Sequence, residues 1–462
     1  MKLVKMSLAA AVLLGASAFA VDNIKVSGDA KVYYNTNNAD YTGTDGNTHS
    51  GMFDKEASAA DTALRIGVTG DLLKGVSFGA TGYAVSTLGL ENNLVNNTWT
   101  GAHGAPVANG SSFGAAVDDK SWMSEMWIAA TLGKTTAKVG RMELDTPLAF
   151  SESWSVAKNT FDAAVLINQD LPDTTLVGAW VGKGNGVNAL GAAEVYLEGV
   201  FSLAPGDLEG AAGGYNNLAA VGIDGIMGSG AKFGTFMNKG AYAVAAVNNS
   251  FKPLTAQAWY YNVGNVADAY WLQADINCQM VKGLSIGGQY ANMDPKGKLD
   301  AALNTLSLSQ KDSDAYAVKL AYEGVENLKV SAAYSETDKD GVLKIANVAT
   351  NNLGTAQSKL YTEAWWNYGY VGAAGAESYN LTAEYNAGVA KVGVYFTDVD
   401  VKPTGATETT DMTEVAVTVS KSFGALDATL AYISTDADDQ NEDINNQGQR
   451  YDTIQAYLTL NF

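Results

Sequence analysis

From Tyr451 to Phe462 apolar and polar positions alternate: Ile454, Ala456, Leu458, Leu460 and Phe462 share one face, and Thr453, Gln455, Thr459 and Asn461 the other. A period of two marks a strand whose faces meet different surroundings. The pattern recurs upstream. Tyr316, Val318, Leu320 and Tyr322 alternate with Ala317, Lys319 and Ala321; Leu328, Val330, Ala332 and Tyr334 follow a turn; Tyr379, Leu381, Ala383 and Tyr385 precede Val392, Val394 and Phe396. An apolar terminal edge strand invites mispairing, and pairing the last strand with the first removes that edge. With the apolar face toward lipid, a closed barrel pairs every backbone group across a bilayer. The pattern therefore predicts an all-β fold, a transmembrane antiparallel β-barrel.

Tight turns alternate with long polar segments, as expected for short periplasmic turns and long external loops. Turns are predicted at Lys74-Gly75, Gly133-Lys134, Asp170 to Asp173, Asn248 to Pro253, Lys282-Gly283, Glu323 to Asn327, Asn386 to Gly388 and Gly424-Ala425. Eight turns plus a first and a last strand give 18 strands, within a range of 16 to 20. The upper figure would need a further hairpin at Ala193 to Leu203, which alternates and meets Pro205-Gly206. The glycine-rich residues through Gly234 make a poor strand, so the region reads as one long external loop.

The opening residues add an address. Lys2 and Lys5 precede an apolar run from Leu8 to Phe19, and Ala18-Phe19-Ala20 is a small-x-small cleavage site. This is a secretory signal over residues 1–20, cut between Ala20 and Val21. Residues 21–462 then form a single barrel domain, since no linker or change of composition divides them. Cys278 is the lone cysteine, which excludes an intrachain disulfide, and its phase with Leu272, Ala274 and Ile276 places it on the lipid face. The formal charge of −20 becomes more negative once Lys2 and Lys5 are removed. Such a surface excludes nucleic acid as a partner and favours cations at a channel mouth.

With the lipid faces fixed, Lys25, Lys31, Arg65, Lys138, Lys319, Lys329 and Lys391 point inward, as do Asp29, Glu125, Asp275, Glu384 and Asp427. A polar interior of both signs suits a water-filled passage. The segment from Val139 to Phe161 differs from the other connections. It mixes Arg141, Glu143, Asp145, Glu152 and Lys158 with Pro147, Phe150 and Trp154. A loop with bulky side chains folds against a surface, and in a wide barrel that surface includes the lumen. It is the predicted inward-folded third loop.

Here the chain resembles a known family. Gly140-Arg141, Asp145-Thr-Pro147, Phe150 and Asn159-Thr-Phe161 are similar to the constriction-loop region of the outer-membrane porin D family. The mature chain as a whole, especially Gly240-Ala-Tyr-Ala-Val and Tyr270-Trp-Leu-Gln-Ala-Asp275, resembles the major outer-membrane porins of the Campylobacter type. The resemblance implies an 18-stranded homotrimer in the outer membrane of a Gram-negative bacterium. Its partners would be the lipid bilayer, lipopolysaccharide and small solutes. Phe462 would be part of the signal read by the barrel-assembly machinery. The arginine-rich ladder of the porin D branch is not evident, so that branch's solute specificity does not transfer.

The predicted function is passive diffusion of small hydrophilic solutes and ions with a weak cation preference. The predicted constriction comprises Arg141, Glu143, Asp145, Lys138 and Glu125. No cofactor is expected, apart from a structural calcium among the third-loop acids or in the carboxylate-dense run Asp436 to Asp443, which lacks the EF-hand spacing. Catalysis is not expected, since the two histidines, His49 and His103, lie in Asn- and Gly-rich segments. A surface adhesin is the alternative, with Asn35 to Asp61, Thr87 to Ser121 and Asp436 to Arg450 as binding loops.

Overall fold

The computed structural model describes residues 22–39, 41–42, 48–49, 51–55, 57–90, 93–95, 120–152, 156–186, 229–235, 240–305, 312–349, 356–404, 406, 409–437 and 450–462. The predicted signal, the run 193–203 and the tips of several long loops lie outside them. Eighteen strands form the wall. They are β1 Asp22–Asn37, β2 Ser58–Leu73, β3 Val76–Ser86, β4 Lys120–Leu132, β5 Thr135–Met142, β6 Phe161–Asn168, β7 Thr174–Gly186, β8 Ala241–Asn248 and β9 Leu254–Val263. They continue as β10 Ala267–Asn277, β11 Leu284–Pro295, β12 Ser313–Val325, β13 Leu328–Thr337, β14 Ala376–Asn386, β15 Lys391–Val401, β16 Thr410–Phe423, β17 Leu426–Ala437 and β18 Tyr451–Asn461. All eight predicted turns fall between paired strands. One short helix among the described residues, α1 Gly297–Thr305, lies in the connection from β11 to β12 and buries Leu299 and Leu303.

Closure occurs where it was expected. β1 pairs antiparallel with β18 from Asp29↔Asn461 to Asn37↔Thr453, and with β2 on its other side. Gly28 and Phe462 extend the seam through Gly28 N–H to Phe462 O at 2.8 Å and Phe462 N–H to Gly28 O at 3.0 Å. A Cβ at Gly28 would stand 2.2 Å from the Arg65 carbonyl oxygen and 2.7 Å from the Phe462 ring, so the seam requires glycine there.

The alternation appears as two surfaces. Val318, Leu320, Leu381, Val394 and Leu458 are exposed on the outside, whereas Thr453 and Gln455 are buried against the interior. Inside, Lys319 lies over the Tyr361 ring and Lys391 donates to Glu384. Cys278 is displaced from its expected place. It lies just past the end of β10, in the turn, where its Sγ accepts the Val281 N–H.

The wall has a notch. β5 and β6 have 8 residues each, against 13 in β4 and β7, because the connection between β5 and β6 leaves the wall for the lumen. A strand segment that glycine content had argued against, Ser229–Thr235, pairs with the end of β7 through Gly234↔Gly184 and Thr235↔Lys183. Its Phe233 also packs against the buried cluster that includes Tyr83, Trp122 and Val156, so apolar contact and ladder bonds offset the poor intrinsic propensity.

Candidate functional site

Among the described residues, two loops enter the lumen. The first, residues 143–160, begins as a small hairpin around Pro147. Asp145 bridges Phe150, Thr146 N–H donates to Ala149 O, and Ser151 N–H donates to Leu144 O. Leu148 and Phe150 are buried, and Leu148 faces an apolar cavity of about 70 Å³ shared with Phe161, Tyr261, Val263 and Met293. Asn159 closes the return: its Oδ1 accepts the Glu152 N–H at 2.7 Å and its Nδ2 donates to Phe150 O. The inward course of this connection, Pro147 and Phe150 included, follows the sequence reading, while Trp154 lies outside the described residues.

The second, residues 338–375, was not anticipated. It joins β13 to β14 and docks on the first loop. Asn347 Nδ2 donates to Phe150 O and to Glu152 Oε1, both at 2.9 Å, and Val348 N–H donates to Leu148 O at 3.0 Å. Lys359 Nζ forms an ion pair with Asp145. The far side of the loop is held by the wall. Buried Glu414 on β16 accepts the N–H groups of Trp365 (2.8 Å), Trp366 (3.1 Å) and Asn367 (2.8 Å), together with Asn367 Nδ2 (2.8 Å). Tyr361 reaches across to donate to Asp275 Oδ1 at 2.6 Å, over Gly287, where any Cβ would stand 2.5 Å from its hydroxyl. The run Trp365-Trp366-Asn-Tyr368-Gly-Tyr370 carries the same signal of bulky residues in a loop that identified the first.

The predicted constriction residues separate. Glu143 and Asp145 are in the lumen, and each holds a lysine: Lys158 Nζ lies 2.7 Å from Glu143, and Lys359 pairs with Asp145. Lys138 and Glu125 face the lumen from the wall. Lys138 Nζ lies 4.1 Å from the Trp127 ring centre, and Glu125 accepts from the Thr81 hydroxyl at 3.2 Å. Lys138 is within electrostatic reach of both Glu125 and Glu143. Arg141 is a correction. It shares the outer face of β5 with Val139, binds Asp162 on β6 at 2.8 Å, and is covered by Phe233. One residue of phase decides this, since Lys138 and Met142 take the inner face.

Wall charges complete the passage. Arg65 Nε binds Asp29 Oδ2 at 2.5 Å, Lys31 lies beside them, and Glu143 acts on both cations. Two cavities of about 430 and 500 Å³ lie along the lumen, and Trp365 and Tyr368 line both. Glu363 faces the larger one. Burial, reinforced by Glu152 and Glu414, pushes its carboxyl up to about 8, although the Ser358 and Ala364 N–H groups oppose the shift. Among the described residues no group of three or more His, Cys, Asp or Glu side chains suits a metal ion. Residues 438–443 of the acidic run, and His103, lie outside the described residues.

No family profile and no curated protein matches the sequence. Solved structures do. OccK8 (OprE) of Pseudomonas aeruginosa aligns over 95% of this chain and 98% of its own, with a TM-score of 0.65 at 15% identity. The chain has the fold of an outer-membrane channel. OccK9 (OpdG) of the same organism gives a TM-score of 0.64 at 11% identity, covering 95% and 99% of the two chains. OpdK, solved with vanillate, gives 0.63 at 10% identity, covering 95% and 98%. These neighbours are channels, not enzymes. They agree with the porin D side of the resemblance and do not single out the Campylobacter type.

Proposed function

We propose that this protein is a passive channel of the outer membrane, a porin of the porin D kind close to the Campylobacter-type major porins. Small hydrophilic solutes and ions diffuse through it with a weak preference for cations. The supporting observation is the meeting of two inward loops across a closed barrel, with Asp145 of one paired to Lys359 of the other. A narrow, partly dehydrated passage makes fixed charge act strongly on an ion. Loop 143–160 carries Glu143, Asp145 and Glu152 against Lys158, and the mature chain is strongly acidic. In this reading the short turns face the periplasm, the exposed strand faces contact lipid and lipopolysaccharide, and the protein assembles as a homotrimer after Phe462-dependent delivery. Of the third-loop acids, Glu143 and Asp145 each hold a lysine, and Glu152 accepts from Asn347 Nδ2 and the Gln357 N–H.

The test is the reversal potential in a salt gradient. Replacing Glu143 by Gln and Asp145 by Asn together frees Lys158 and Lys359, and should lower the cation-to-anion permeability ratio about twofold or more. Arg141→Gln should leave it unchanged, because that side chain faces outward. An unaltered ratio in the double variant would contradict the assignment of these acids.

Glu363 adds a pH dependence. Its carboxyl is neutral below about 8 and negative above it. Cation preference should therefore rise between pH 7 and pH 9, and Glu363→Gln should flatten the rise.

A further inference from the structure

The lumen already shows how its aromatic rings treat cations. Lys138 Nζ lies 4.1 Å from the Trp127 ring centre, Lys319 Nζ 3.9 Å from that of Tyr361, and Lys359 Nζ 4.6 Å from that of Phe150. The ring faces inside the barrel are thus open to positive charge, which the π-system attracts. Trp365 and Tyr368 occupy the most telling position, since both lumen cavities are lined by both rings. A solute moving from one cavity to the other passes them. Among the described residues neither ring carries a lysine or arginine.

Their surroundings hold charge of both signs, so the ring faces themselves decide which cation is favoured. Trp365 is held by its N–H to the buried Glu414 carboxylate, and its ring leans on Tyr395 with centres 6.3 Å apart. Tyr395 in turn donates to Glu384 at 2.8 Å. Glu363 and Asp145 line the same cavity as Trp365, with Lys359 as the lysine among that cavity's lining. The Trp365 ring is therefore braced, and the two cavities carry two acids, Glu363 and Asp145, and two lysines, Lys359 and Lys31.

We propose that Trp365 and Tyr368 form a cation–π station at which alkylated ammonium ions pass in preference to alkali cations. This rests on the channel reading above and names its favoured solute class. An alkali ion holds its water tightly and gains little from an aromatic face. A methylated ammonium ion is weakly hydrated, and its apolar shell can lie directly on the rings.

Tetramethylammonium chloride and potassium chloride are the probes, on the full-length channel in a planar bilayer. The wild type should give a tetramethylammonium-to-potassium permeability ratio above the ratio of their free-solution mobilities. Replacing Trp365 and Tyr368 together by Leu should lower it about threefold, the scale of an exposed cation–π contact. Trp365→Phe, which keeps a ring face, should retain the wild-type ratio. Potassium-over-chloride selectivity should be unchanged in all of them, which separates this station from the charged groups. A wild-type ratio at or below the mobility ratio overturns the proposal without any variant, as does a double Leu channel that keeps the wild-type ratio. Loss of potassium-over-chloride preference in the wild type would instead count against the channel reading beneath it.

Discussion

Replacing Glu414 by alanine should widen the channel and leave the barrel assembled. Four donors from Trp365, Trp366 and Asn367 converge on this carboxylate. Hydrogen bonds to a charged acceptor contribute about 1.5–3 kcal/mol each, and alanine would leave the buried N–H groups without a partner. Loop 338–375 would then lose its attachment to the wall on the β16 side, while its contacts with the first loop, from Asn347 to Phe150 and Glu152 and from Lys359 to Asp145, would remain. Glu414 is not needed for the wall itself, because the β15–β16 and β16–β17 ladders run through backbone groups. Unitary conductance should rise about twofold or more as the passage opens. Glu414→Gln keeps an oxygen acceptor and should give a smaller rise. An alanine variant with wild-type conductance and normal assembly would show that the loop is held elsewhere.

Blocking the seam should have the opposite pattern, with assembly lost and any surviving channel normal. Gly28→Val puts a branched side chain where even a Cβ would lie 2.2 Å from the Arg65 carbonyl oxygen. The first and last strands must then part or shift, at a cost on the order of 1–3 kcal/mol for overpacking alone. That corresponds to a loss of about 5- to 150-fold in the equilibrium constant for closing the barrel. Phe462→Asp should act similarly, since it removes the outward ring that covers Gly28 and puts a charge at the lipid face. Heat-modifiable mobility of the outer-membrane fraction reads both. Normal amounts of the folded form in Gly28→Val would mean that the seam tolerates a shift of register.

The wall was legible because a two-residue period is a local property. Strand after strand states its own faces, and Lys74-Gly75 or Gly424-Ala425 states its own turn. The first inward loop was legible for a related reason: Pro147, Phe150 and Trp154 are costly to leave in solvent. Applied to Trp365, Trp366, Tyr368 and Tyr370, the same reasoning would have found the second loop. Its partner Glu414 lies 47 residues from Asn367, so their pairing has no local signature. Arg141 shows the reverse failure. It belongs to the sequence motif of the inward loop, yet it is the last outward position of the strand before it, and phase outranks motif. The strand Ser229–Thr235 was hidden because its partner edge exists only where β7 runs on past the start of short β8. No window of sequence contains that edge.

Single-channel recording of the purified protein in a planar bilayer tests the central claim most directly. Discrete, persistent conductance steps should appear, linear in voltage, with a reversal potential in a potassium chloride gradient on the cation side. Protein that inserts as a folded barrel but never conducts, or that conducts with chloride preferred, would contradict the account.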